Sequence, residues 1–197
     1  MKDLKTLFLL MFVMLAGLVS CDETAEPGEF DNWQVRNKEF VDSIATVARA
    51  NADGTWKVIL ADGLDSSKEW DNGYYVYCKT LTAGSGESSP LYTDTVTVNY
   101  CGRLIPTEHY PQGFIFDSSY DGELEPSFDV PVSFVLSGTV SGFSAALQKM
   151  VVGDTWRIYI PSTIGYGMSD INGVPAYSTL IFDVNLVSFC PRRYSGT

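Results

Sequence analysis

The chain has 197 residues, room for one good core and marginal for two. Hydrophobic residues make up 45% and charged residues 19%, the balance of a globular protein rather than a disordered one. Thirteen Lys and Arg against 24 Asp and Glu leave a net charge of −11, which disfavours nucleic acid and anionic membrane surfaces as partners.

Lys2 and Lys5 precede an apolar run from Leu7 to Val19, the length of a signal-peptide core and too short to span a bilayer. The run ends Leu18-Val19-Ser20-Cys21, which resembles the lipobox of bacterial lipoproteins. The resemblance implies cleavage after residue 20 and lipidation of Cys21, with membrane contact only through that anchor. Secretion with Cys21 as a spectator is the alternative. Residues 21–30 read as a polar tether with Pro27 and Gly28. Its acidic residues (Asp22, Glu23, Glu26, Glu29) resemble the export tails of some Gram-negative surface lipoproteins. The expected location is therefore extracytoplasmic, on the periplasmic or surface face of a Gram-negative outer membrane.

Asp31 and Gln34 have capping-box spacing, and Trp33, Phe40, Ile44 and Val47 recur at three- and four-residue steps. The pattern predicts an amphipathic helix over 32–50, stopped by Asn51 and Gly54. That helix either covers its own sheet or pairs with another copy. Strands are expected at 55–60 and 74–81, separated by an acidic loop, and at 95–100, where T-V-T-V-N-Y alternates cleanly. A turn-rich break at 83–90 separates the last two. A loop with Pro106, Pro111 and Gly113 leads to Phe114-Ile115-Phe116-Asp117, and then to 130–136, with Val132, Phe134 and Leu136 on one face. A short helix at 143–150 buries Ala145, Ala146, Leu147 and Met150, and Gly153 closes it. A strand at 156–160 and a loop begun by Pro161 deliver Tyr166 between two glycines; a last strand covers 178–189. Several strands around one short helix make an α+β antiparallel domain. The tight succession of helix, strand and loop gathers Val140, Phe143, Ile160 and Tyr166 around an aromatic hollow.

Other chemistry is poorly served. The single histidine, His109, allows no His-rich metal site and leaves one candidate for a catalytic triad. Gly142-Phe143-Ser144-Ala145 lacks the second glycine of a nucleophile elbow. A calcium-loop pattern starting at Asp117 fails at its twelfth position, Phe128, where a bidentate carboxylate is required. Gly165-x-Gly167 is too short for a phosphate loop. Cys78, Cys101 and Cys190 lack metal-ligand spacing and are expected as buried free thiols, although one disulfide is permitted outside the cytoplasm. No metal or cofactor is expected.

Five fragments occur in order: V-T-V-N-Y-C-G-R-L, F-D-S-S, V-S-G-F-x-x-A-L-x-x-M-x-x-G, I-P-x-x-x-G-Y-G and V-P-x-x-S-T-L-I-F-D-V-x-L. Together they closely resemble the FKBP-type peptidyl-prolyl cis-trans isomerases, from about Tyr74 to Phe189. The resemblance implies a twisted antiparallel sheet wrapped around a short helix. It divides the chain into a helical extension with a strand (31–72), the isomerase domain (73–190) and a tail (191–197). It also implies isomerisation of X-Pro bonds in proline-containing polypeptides, and binding of macrolide inhibitors. By motif, Asp117, Tyr166, Tyr100 and Val140 take the catalytic positions and Phe116, Thr139, Phe143, Val174 and Phe182 the substrate-binding ones, where Phe116, Phe143, Val174 and Phe182 grip the proline ring. Three departures stand out. Phe143 occupies the floor position that is usually Trp. The stretch Tyr120 to Glu125 lacks the Arg that often pairs with the Asp, and Val132 falls near the usual place of a pocket-edge Phe. A non-catalytic polypeptide-binding lipoprotein using the same pocket is the alternative reading.

Overall fold

Period-two alternation of apolar residues gives each strand a side for each of two layers, and pairing then aligns those sides across the sheet. The seven strands are β1 (Trp56–Leu60), β2 (Tyr75–Thr82), β3 (Thr95–Arg103), β4 (Ile115–Ser118), β5 (Val132–Val135), β6 (Thr155–Ile160) and β7 (Leu180–Cys190). They form one sheet in the order β1-β2-β6-β7-β3-β4, every pairing antiparallel. The outer side of β3 is shared: Thr95 to Val98 pair with β5, and Cys101 to Arg103 pair with β4. The computed structural model describes residues 28–125 and 128–191. The expected signal peptide, Cys21 and all but the first residue of the expected tail 191–197 lie outside the described residues.

On one face Val76, Cys78, Trp156, Ile158, Leu180, Val184, Val98 and Leu186 are buried against the short helix α2 (Ser141–Leu147). Gly142 permits that closeness, because a Cβ there would collide with Ile160 Cγ2. Helical geometry stops at Leu147, three residues before the expected end, yet Met150 is still fully buried.

On the opposite face Tyr77, Tyr159, Trp56 and Val58 meet α1 (Trp33–Ala50), which therefore covers its own sheet. Its buried stripe is Trp33, Asn37, Val41, Ala45 and Ala48. Val47, expected on that stripe, is 52% exposed; the true stripe is displaced by one residue there, toward the smaller Ala48 that fits against the tyrosines. The expected capping box is absent. Asn32 occupies the N-cap in a left-handed conformation (φ 53°) without a side-chain cap, and Asp31 instead accepts the Gly28 N–H at 2.9 Å. Among the described residues, no helix is long and apolar enough to cross a membrane. Cys78 and Cys101 are buried free thiols, and burial pushes the Cys78 thiol up; Cys190, also free, is exposed, against expectation, because β7 ends there at the sheet's margin.

Candidate functional site

Consecutive strand residues ordinarily point to opposite faces, so Phe116 and Asp117 should not reach one site. A bulge resolves this. Gly102 lies opposite Asp117 while Arg103 lies opposite Ile115, leaving Phe116 as the extra residue on β4. Phe116 turns its edge onto Phe182 (5.5 Å between centroids, 86°), while the Asp117 carboxylate accepts the Tyr100 hydroxyl at 2.7 Å. Gly102 makes room for the pair: a Cβ there would stand 2.6 Å from Phe182 and 2.7 Å from Phe116.

The site is a hollow of about 240 Å³ lined by Tyr100, Asp117, Phe134, Gly138, Thr139, Val140, Phe143, Tyr166 and Phe182. Phe143, from α2, forms its buried floor and meets Phe182 edge-on at 5.2 Å and Phe134 at 6.1 Å. Tyr100 completes the ring with centroid distances of 5.8 Å to Phe134 and 6.2 Å to Phe182. Such edge-to-face contacts fix the aromatic walls more firmly than area burial alone. Two donors belong to residues of the lining. The Val140 N–H, just before α2, has no acceptor among the described residues, while the Val140 carbonyl takes the N–H of Phe143 at 3.0 Å and of Ser144 at 3.1 Å. Tyr166, on the loop after the single turn Ser162–Ile164, lines the hollow, and its hydroxyl has no hydrogen-bond partner among the described residues. Burial raises the pKa of both Tyr100 and Tyr166, and the Asp117 charge raises them further, so both phenols remain protonated donors.

Seven of the nine substrate and catalytic residues expected from sequence therefore line one hollow. Phe116 stands behind Phe182 as its support, and Val174, fully buried, belongs to the core beside the hollow rather than to its wall. Ile160 likewise lies under α2. Val132 does not supply the pocket edge; it is 39% exposed at the far end of the β5 pairing with Val98. Phe134, two residues on and on the same side of the strand, fills that role. The alternation V-S-F-V carried this signal, and a shift of two residues in register preserves the face while replacing Val by Phe. Among the described residues no cation lies within ion-pair distance of Asp117: Arg103 and Arg157 both engage Asp183 on the opposite face of the sheet.

A larger hollow, about 800 Å³, lies between α1 and the loops around Asn72 and Ser162. It lacks a ring of aromatic side chains, so the smaller cup is the stronger candidate for recognising an apolar ring.

The family model described as FKBP-type peptidyl-prolyl cis-trans isomerase matches residues 86–187, more than half of the chain. The chain belongs to this family. Similar proteins include the peptidyl-prolyl cis-trans isomerase Mip of Coxiella burnetii, 42% identical over 112 residues, covering 56% of this chain and 43% of the relative. The outer membrane protein MIP of Legionella longbeachae is 35% identical over 161 residues, 81% of this chain and 57% of the relative. The chain thus spans less than two thirds of the length of these curated relatives. Among solved structures, a peptidyl-prolyl cis-trans isomerase of Pseudomonas syringae pv. tomato superimposes with a TM-score of 0.54. It is 27% identical and covers 79% of this chain and 95% of the other.

Proposed function

We propose that this protein is a prolyl isomerase acting on X-Pro bonds of exported polypeptides, with the aromatic cup as its active site. The observation that carries the reading is the convergence of Tyr100, Phe134, Phe143 and Phe182 around one hollow with free donors at Tyr166 and Val140. The chemistry asks for little. Amide resonance sets a barrier of roughly 18–20 kcal/mol, and four decades of acceleration require lowering it by about 5.5 kcal/mol. No nucleophile is needed. The twisted amide has lost resonance and is less hydrated than the planar form, so a dry apolar cup favours it over the ground state. The proline ring would sit on Phe143 between Phe182 and Phe134. The Val140 N–H and Tyr166 hydroxyl would hold flanking carbonyls, and the Tyr100–Asp117 pair would face the turning imide. With Phe143 as floor instead of the larger Trp, the edge contacts from Phe134 and Phe182 narrow the cup. Macrolide inhibitors would compete for it.

The experiment is a proline-peptide isomerisation assay on the wild type and on the double variant Asp117→Ala, Tyr166→Phe. The expected result is acceleration by the wild type and a fall of about 10–100-fold in kcat/KM in the variant. A wild type that binds unfolded polypeptide without accelerating isomerisation would establish the non-catalytic binding module instead. The outer-membrane relative and the lipobox-like Cys21 support a lipid-anchored, extracytoplasmic location. Cells fed labelled palmitate should label this protein, and loss of the label in Cys21→Ala is the outcome expected.

A further inference from the structure

The helix α1 lies outside the residues matched by the family model, yet its first turns are bonded to the loop that carries one wall of the cup. The Trp33 indole N–H donates to Ser178 Oγ at 2.9 Å, and the Ser178 hydroxyl donates in turn to the Pro175 carbonyl at 2.6 Å. One helical turn later, Asn37 Oδ1 accepts the Thr179 N–H at 2.7 Å while its Nδ2 donates to the Trp33 carbonyl at 2.8 Å. Trp33, Asn37, Ser178 and Thr179 are all buried, between 1% and 6% exposed. A polar Asn buried on a helix face is costly unless both ends of its amide are used, and here both are.

What these bonds grip is the base of a closed loop. The Tyr177 N–H donates to the Gly167 carbonyl at 2.8 Å, so residues 167 and 177 are clasped, and Tyr166 is the residue just before the clasp. Tyr177 itself is left-handed (φ 62°), a conformation that a bulky residue holds only when its surroundings impose it. The path from α1 to the hydroxyl of the cup is therefore short: hydrogen bonds join α1 to Ser178 and Thr179 and join Tyr177 to Gly167, and the chain itself carries it from Ser178 to Tyr177 and from Gly167 to Tyr166.

We propose that Trp33 and Asn37 are positioning residues for the cup, acting through Ser178 and Thr179 to fix where the Tyr166 hydroxyl points. This inference rests on the reading of the cup as an isomerase site. It gives α1 a role beyond covering apolar surface: the helix sets the geometry of a donor on the far side of the sheet.

The test uses the full chain labelled with 3-fluorotyrosine, the Tyr166 resonance being identified by its loss in Tyr166→Phe. Trp33→Phe removes the donor and keeps an aromatic ring; Ser178→Ala removes the acceptor from the other side. Each should move the Tyr166 resonance and lower kcat/KM by about fivefold, since misplacement of a substrate-holding group by a fraction of an ångström costs rate. The double variant should be no worse than either single one, because both break the same link. Ser178→Thr, which keeps the hydroxyl, should restore both readouts. Ala45→Gly, which loosens α1 where it packs on Tyr77, should lower the melting temperature and leave the Tyr166 resonance in place. An unmoved resonance in Trp33→Phe and Ser178→Ala, or losses that add in the double variant, would overturn the proposal. A wild type without isomerase activity would sink the reading of the cup, while the resonance would still report whether α1 positions Tyr166.

Discussion

The two faces of the sheet are closed by helices of opposite construction. Six of the seven residues of α2 are buried, whereas α1 buries five of eighteen along a single stripe. On the α2 side apolar side chains interlock, and the cup is the part of that core left open to solvent. On the α1 side the contact is a row of small residues against tyrosines, supplemented by the bonds of Asn37 and Trp33 to the loop; on the same face of the sheet, Arg157 and Arg103 from neighbouring strands pair with Asp183. The site thus grows out of close packing, while the opposite layer acts through a few directed bonds.

The sharpest way to break this contrast is Leu147→Ala. Leu147 is fully buried at the end of α2, with the cup's floor one turn away at Phe143. The cavity should cost about 2–5 kcal/mol in chemical denaturation. A loss below about 1 kcal/mol, the range of surface substitutions, would show that α2 is not tightly packed.

On the opposite face the corresponding probe is Asp183→Asn. Burial pushes the Asp183 carboxyl up, but the Arg157 fork (2.6 and 2.8 Å) and Arg103 (2.9 Å) outweigh it and hold the carboxyl below its ordinary range. The sign follows from the folded state binding the proton more weakly than the unfolded one. Stability from this group is present above the unfolded carboxylate pKa of about 3.9 and is lost as pH falls below it, through the lower folded value. Asp183→Asn should therefore cost about 2 kcal/mol at neutral pH, less than a fully buried pair because Arg157 is 39% exposed. It should also flatten the acid-unfolding curve below about pH 4. A variant that keeps the wild-type slope in acid would remove Asp183 from the account.

Much of the cup could be read before the fold. T-V-T-V-N-Y fixed a strand by alternation alone, and the ordered fragments named Tyr100, Asp117, Val140, Phe143, Tyr166 and Phe182, all of which line the hollow. Phe134 escaped because Val132 shares its face two residues earlier, and local pattern holds no information about how far along β3 the strand pairs. Asn37 escaped for a different reason. A polar residue in an amphipathic helix reads as solvent-facing, and only the arrival of Thr179, 142 residues away, gives its amide a partner.

Sequence by itself determined which residues are apolar at which period, and hence the strands and the short helix, because those follow from neighbours a few residues apart; most of the cup's membership came from the resemblance of its ordered fragments to a known family. The tertiary structure alone decided that Phe116 and Asp117 share one side through a bulge, that α1 lies on its own sheet, and that its buried amide reaches the loop beside Tyr166. Each depends on contacts between residues far apart in the chain, whose geometry is set by pairing register and packing.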